Sequence, residues 1–290
     1  MPAQIAHQSY GKSRVRLTKV TRGSGRHELA ELAVDIVLEG PFEPSYRSGD
    51  NRLVVPTDTM KNTVYALAAG HPLDAIEAFA LALAGHFLDR HAHVAAATIA
   101  IDQASWRRIE DDEGVASPAA FIAGGTARRT CRVRRERRGT AGGSTDVVEG
   151  GIAGLSLVKT TDSAFRGFVR DEYTTLPDTD DRIFGTTVDA RWRYRTAEPV
   201  AWNAAHRAAS RALVGTFAVH RSQAVQQTLL AMAEAALGAV DAIEEISIEM
   251  PNQHRVPVDL APFGLEDRNE IFVATSEPYG LIRGTIRREE

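Results

Sequence analysis

Two hydrophobic rhythms run along this chain, and each marks a different kind of element. Ser13 to Arg22 reads as extended and ends in a Gly23-Ser24-Gly25 turn. Leu32, Val34, Ile36 and Leu38 then alternate with Ala33, Asp35, Val37 and Glu39, which predicts a strand with its apolar side on a core. Residues 40–51 are rich in Pro, Ser and Gly and read as a loop. Beyond Leu53-Val54-Val55 a short helix is predicted, with Thr57 as its N-cap. A longer helix is predicted from Pro72, because Ile76, Phe79, Ala80, Leu83 and Phe87 form one helical stripe. His93 to Trp106 and Phe121 to Val133 read as strands, so the first half runs strand, strand, helix, strand, strand.

The second half repeats that order. Leu155 to Thr160 forms one predicted strand, and Val188, Ala190, Trp192 and Tyr194 carry the next. Helices are predicted over Pro199 to Val219 and Ser222 to Ile243, the second with Leu229, Met232, Ala233, Ala236, Leu237 and Val240 on one face. Strands at Ile246 to Glu249 and Ile271 to Thr275 close the set. A duplicated α+β architecture follows, with sheets on one side and helices on the other. Its boundary is placed in the glycine-rich stretch Gly139 to Ser144, giving modules of residues 1–140 and 141–290.

Composition narrows the class. At 290 residues, 43% hydrophobic and 25% charged, the chain is globular in character, and its net charge of −4 does not suit a protein that coats nucleic acid. The single cysteine, Cys131, supplies no disulfide framework. The start of the sequence does not read as a secretory signal, and Ala75 to Ala84, interrupted by Glu77, is too short to cross a bilayer. The final residues carry no peroxisomal Ser-Lys-Leu, so a cytoplasmic protein is expected.

Several clusters invite chemistry. Seven arginines lie between Arg128 and Arg138. They fall on both faces of a strand with no aromatic residue to stack on a base, which favours a solvated strand over a nucleic-acid surface. His86, His91 and His93 lack helical ligand spacing and read as structural rather than as zinc ligands. Two predicted helix starts offer more. Free N–H groups near Thr57, and near Val225 and Gln226 behind a Ser222 cap, suit a small planar anion. Only four lysines, at positions 12, 19, 61 and 159, stand against thirty arginines. A lysine can lose its proton where an arginine cannot, which makes Lys12 a candidate for proton chemistry, with drift an equally good reading of its retention.

At these residues the sequence resembles the urate oxidase (uricase) family over nearly its whole length. The resemblance is carried by Tyr10-Gly11-Lys12, VPTDTMKNTVYALA (Val55 to Ala68), FRGFVRDEYTTL (Phe165 to Leu176), DRIF (Asp181 to Phe184), AVQQTL (Ala224 to Leu229) and MPNQH (Met250 to His254). It implies the tunnelling fold (T-fold): two tandem modules, each an antiparallel sheet with helices on one face. Modules from two subunits would close a barrel around a tunnel, and two barrels would stack as a homotetramer. It also implies oxidation of urate by O2 without metal or organic cofactor, and no nucleic-acid or membrane partner.

The same resemblance assigns residues. Lys12 and Thr57 would form a catalytic dyad joined by His254. Phe165 would stack on the purine, while Arg182 and Gln226 would clamp its edge. The backbones of Val225 and Asp58 would add hydrogen bonds, and Asn252 and Thr57 would position O2 or water. Thr57 and Asp58 would serve urate bound to another subunit. Arg166 departs from the family pattern, in which an aromatic commonly follows the stacking ring. Two other classes stay open on the residues: a zinc-dependent, pterin-handling enzyme of the same fold, and a purine-binding barrel without catalysis.

Overall fold

The computed structural model describes residues 3–138, 144–197 and 200–289. Of the predicted module boundary only Ser144 belongs to these, and Pro199, the predicted start of a helix, also lies outside them. The elements are β1 (Tyr10–Arg22), β2 (His27–Glu39), α1 (Glu43–Ser48), α2 (Thr57–Gly70), α3 (Ile76–Arg90), β3 (Ala96–Glu110), β4 (Ala116–Arg137) and β5 (Ser144–Lys159). They continue with β6 (Phe184–Tyr194), α4 (Trp202–Val219), α5 (Val225–Ala239), β7 (Ile243–Gln253), β8 (Arg255–Pro257), β9 (Phe272–Ala274) and β10 (Gly280–Arg287). None of the described helices is long and apolar enough to cross a membrane.

The chain forms two compact units. The first comprises residues 1–151 and 193–204. Its strands run in the order β1-β2-β3-β4-β5, and β2 pairs antiparallel with both β1 and β3. The alternation in β2 puts Leu32, Val34, Ile36 and Leu38 inside, against Ile99 and Ile101 of β3 and Val133 of β4. Helix α2 lies on β1, and α3 lies on β3 and β4. The stripe Ile76, Phe79, Ala80, Leu83 and Phe87 is wholly buried, each large side chain contributing about 1.5–3 kcal/mol.

The second unit comprises residues 152–192 and 205–290. Its order is β5-β6-β7-β10, with β10 antiparallel to β7 and α5 packed on both. Val225, Leu229, Met232, Ala233, Ala236 and Leu237 make the buried face of α5.

Several sequence expectations need correction. Pro72 lies outside α3, because Leu73 takes a left-handed conformation (φ 59°) and its N–H bonds His71 Nδ1 at 3.0 Å. The helix therefore begins at Ile76. Residues 40–51 include the short helix α1. The strand predicted at 271–275 pairs with β8 in a small ribbon, and the neighbour of β7 is β10. There Ile282, Gly284 and Ile286 alternate with the more exposed Leu281, Arg283 and Thr285, a period-two signal that short length and frequent arginine obscured.

Six of the seven arginines in the run find partners in the first unit. Arg128 pairs with Asp102, Arg134 with Glu39, and Arg135 with Asp146 at 2.5 Å. Arg137 donates to the carbonyls of Val94 and Leu88. Arg129 reaches deepest, with 2.6 Å to the fully buried Glu77 and 2.5 Å to Asn203, whose amide donates to the Asp74 carbonyl at 2.9 Å. Burial pushes the Glu77 carboxyl up, against the opposing pull of Arg129. Arg129→Met should lower stability by about 3–5 kcal/mol, the cost typical of stranding one member of a buried pair. Denaturant unfolding measures it, and an unchanged midpoint would show that the pair contributes nothing.

Candidate active site

Lys12, Thr57 and Asp58 belong to the first unit, where β1 and the start of α2 hold them. A Cβ on Gly11 would stand 1.8 Å from the Ile36 carbonyl oxygen, so only glycine lets β1 approach β2 so closely. Immediately after Lys12 the register shifts, and Arg14 adopts φ 57° while its N–H bonds an Asp35 carboxylate oxygen at 2.5 Å. Such a bulge re-aims the side chains around it.

Tyr10 connects this strand to α2. Its hydroxyl accepts from the Val55 N–H at 2.6 Å and donates to the Val55 carbonyl at 3.2 Å, and its ring meets Phe42 edge-on at 4.7 Å. Val55 is thereby tied to β1 two residues from both Lys12 and Thr57. Helix α2 begins on Thr57 itself behind an extended Pro56, with no side chain capping it. Thr57 is thus the first helical residue, not the cap. Asp58 accepts from Lys61 and, at 2.9 Å, from Asn62. Lys61 holds its carboxyl below the ordinary range, and the charge of Lys12 pulls in the same direction. Lys12 and Asp58 therefore share one electrostatic neighbourhood.

Phe165, Arg182, Val225, Gln226, Asn252 and His254 belong to the second unit. Residues 161–165 thread between two neighbours and organise them. On one side Ala164 N–H bonds the Ser222 carbonyl at 2.8 Å, and Ser222 N–H bonds the Asp162 carbonyl at 2.9 Å. On the other, Phe165 and Thr179 exchange both backbone bonds at 2.8 and 3.0 Å. Asp181 completes the crossing: its carboxylate accepts from the Thr161 hydroxyl at 2.7 Å and from Ser163 N–H at 3.3 Å. One short segment thus brings the Phe165 ring, Arg182 and the approach to α5 into register.

Helix α5 starts at Val225 behind an extended Ala224. The Ser222 hydroxyl turns to the Ala224 carbonyl instead of capping the helix, and Gln223 N–H is taken by the Gln227 amide at 2.9 Å. Val225 is consequently the first helical residue rather than the third, and its N–H is one that the helix leaves without an internal partner.

Arg182 is the decisive group. Burial holds its pKa below the usual guanidinium value. Its nearest sequence neighbour, Asp181, is occupied by Thr161 and backbone N–H groups, and no carboxylate among the described residues pairs with Arg182. The guanidinium lies 5.3 Å from the Phe165 ring centroid. A partly desolvated cation beside an aromatic face is built to receive something flat and negatively charged.

Arg182 opens on a cavity of about 850 Å³ whose wall also carries Asn252 and His254, a size suited to a small organic ligand. Asn252 is held on β7 opposite Gly280, and the His254 carbonyl accepts from Thr275 N–H at 3.1 Å. Phe165 joins the cavity through Arg182, whereas Val225 and Gln226 lie outside its wall. Among the described residues no three His, Cys, Asp or Glu side chains converge on a metal position, His86, His91 and His93 included.

The uricase family model matches residues 8–134 and 148–283. The chain belongs to the uricase family. It is 42% identical over 285 residues to the uricase of Arthrobacter globiformis, covering 98% of this chain and 90% of that protein. To the uricase of Danio rerio it is 36% identical, covering 99% and 95%. The crystal structure of the Arthrobacter globiformis uricase superposes with a TM-score of 0.91 at 41% identity, covering 100% of this chain and 96% of that one. The expected α+β fold agrees with these members of the family.

Tyr10, Thr161 and Asp181 carry no role in the sequence reading, although Tyr10 and Asp181 open two of the motifs that marked the resemblance. The pKa of Asp181 is lowered first by the Thr161 hydroxyl and further by backbone N–H groups. A carboxyl held low is ionised in the folded state throughout the neutral range. The order it imposes is lost only as pH falls below the ordinary aspartate value of about 3.9. At pH 7, Asp181→Ala should speed amide exchange at Ser163 and Ala164 while leaving β1 to β3 unchanged. Equal protection in both proteins would dismiss the carboxylate as the organiser.

Proposed function

We propose that this chain oxidises urate with O2 and water to 5-hydroxyisourate and hydrogen peroxide, the first step from urate toward allantoin, using its own side chains without a cofactor. The observation that carries the reading is Arg182: half-buried, without a carboxylate partner, beside an aromatic ring and open to a cavity that also holds Asn252 and His254. Urate is flat and anionic, with acceptors along its edge that suit a planar guanidinium.

Triplet O2 reacts slowly with closed-shell molecules, so oxidation without a cofactor requires a substrate that gives electrons readily. Urate becomes one when a further proton is removed. In this proposal Lys12 draws that proton through the Thr57 hydroxyl, with His254 in the same relay. Arg182, the Gln226 amide and the Val225 and Asp58 N–H groups hold the resulting charge. Phe165 fixes the ring plane by stacking, while Asn252 and Thr57 keep O2, and then water, against one face. Two electrons pass from the ring to O2, which leaves as hydrogen peroxide, and the oxygen of water remains on the product.

The residues proposed for the two roles divide between the units: the proton-handling Lys12 and Thr57 in the first, the purine-holding Phe165 and Arg182 in the second. We propose further that the chain consists of two tandem modules dividing near residue 140. Four chains would assemble so that Thr57 and Asp58 of one subunit serve the substrate held by another.

The direct test mixes purified, metal-stripped protein with urate and follows the urate ultraviolet band together with oxygen uptake. Both should fall together. Dependence on an added metal or flavin would end the proposal. Lys12→Ala should reduce kcat by about 10²–10⁴-fold, the usual contribution of a general base, with little change in urate binding. Arg182→Ala should raise KM on the order of 100-fold, as when a buried charge loses its partner. An unchanged KM would exclude it from the clamp.

A further inference from the structure

The ring of Phe165 does not stand alone. Phe168 lies almost parallel to it, with centroids 4.9 Å apart and planes 10° from one another. The Arg170 guanidinium lies 4.6 Å from the Phe168 centroid, so a chain of contacts runs from Arg170 through Phe168 to the Phe165 ring. Each planar group in this chain restricts the tilt of the next, and the face of Phe165 away from Phe168 is the one left for a ligand.

The outer end of this stack is anchored. Arg170 reaches Asp178 at 3.2 Å and donates to the Leu176 carbonyl at 3.1 Å. Asp178 also accepts from the N–H of Gly167, a residue at φ 71°, at 3.1 Å. Arg166, which stands where the family commonly has an aromatic, turns to Asp180 at 2.5 Å and takes no part in the stack. The turn between Phe165 and Phe168 is therefore held from both sides, although Val169 just beyond it is almost completely exposed. Packing in a core does not explain the placement of Phe168. A stack does.

We infer that Phe168, held by Arg170, is a positioning residue that supports one face of the Phe165 ring and sets the plane against which the substrate stacks. The inference rests on the urate reading and concerns only how Phe165 is oriented. A flat partner is required on this account, so volume alone cannot replace it. Phe168→Leu keeps an apolar side chain of similar bulk without a flat face, whereas Phe168→Tyr retains the ring.

The test compares both variants with the wild-type protein in urate-dependent oxygen uptake and in anaerobic equilibrium titration with urate. Phe168→Leu should raise KM and the anaerobic Kd together by roughly 2- to 10-fold, the range expected for loss of one aromatic pair. Its kcat should change less than twofold, and its melting temperature should match the wild type. Phe168→Tyr should restore both constants. If the two variants bind urate as the wild type does, or are weakened equally, the inference is overturned. Should Phe168→Leu fail to fold, Arg170→Met decides: a raised KM at unchanged kcat supports the stack, and an unchanged KM refutes it. Wild-type protein that leaves urate unoxidised would instead refute the functional reading, so the two failures are distinct.

Discussion

A guanidinium drawn half out of water needs an anion, and in the second unit the protein withholds one. The nearest acid in sequence, Asp181, is turned to the Thr161 hydroxyl and to backbone N–H groups. This separation of neighbouring charges keeps Arg182 available. Had Asp181 folded back onto the arginine, an incoming ligand would have to displace a carboxylate that was already well placed. The same acid also fixes the segment that carries Phe165, so one side chain both frees the cation and aligns the ring beside it.

The first unit handles charge in the opposite way. Many of its arginines are paired, from the shallow Arg128 and Asp102 to the buried Arg129 and Glu77. There, cations serve to join strands and helices. Lys12 stands apart from that set, placed by a glycine contact and a bulge on a strand whose neighbouring tyrosine grips the entrance to α2. The contrast is one of surroundings: the paired arginines meet carboxylates or carbonyls within the fold, whereas Arg182 meets a ring and a cavity.

Much of the fold was legible because burial enforces periodicity. β2, α3 and α5 each carry an apolar face that the structure covers. The errors cluster where backbone conformation, not side-chain chemistry, decides. Pro72 suits a helix start, but the left-handed Leu73 blocks one. Thr57 and Ser222 are good caps by type, yet each helix begins where the chain leaves an extended residue, at Thr57 and Val225. Long-range partners were also hidden. Nothing in local sequence joins Tyr10 to Val55 or Thr161 to Asp181, since those bonds exist only after the chain has folded back. Of the candidate site, the family motifs proposed the residues, while the unpaired state of Arg182 and the contacts of Phe168 with the Phe165 ring and with Arg170 required coordinates.

The presence of residues 193–204 in the first unit has a consequence for dividing this protein. Asn203 accepts from Arg129 and donates to the Asp74 carbonyl, so a deep ion pair depends on a residue that the ribosome delivers long after the rest of that unit has emerged. An amino-terminal fragment ending near its glycine-rich stretch would expose the Glu77 network to solvent on one flank. The unit is discontinuous in the sequence, and its completion during synthesis must wait for the chain to pass through the whole of β5 and β6 into α4.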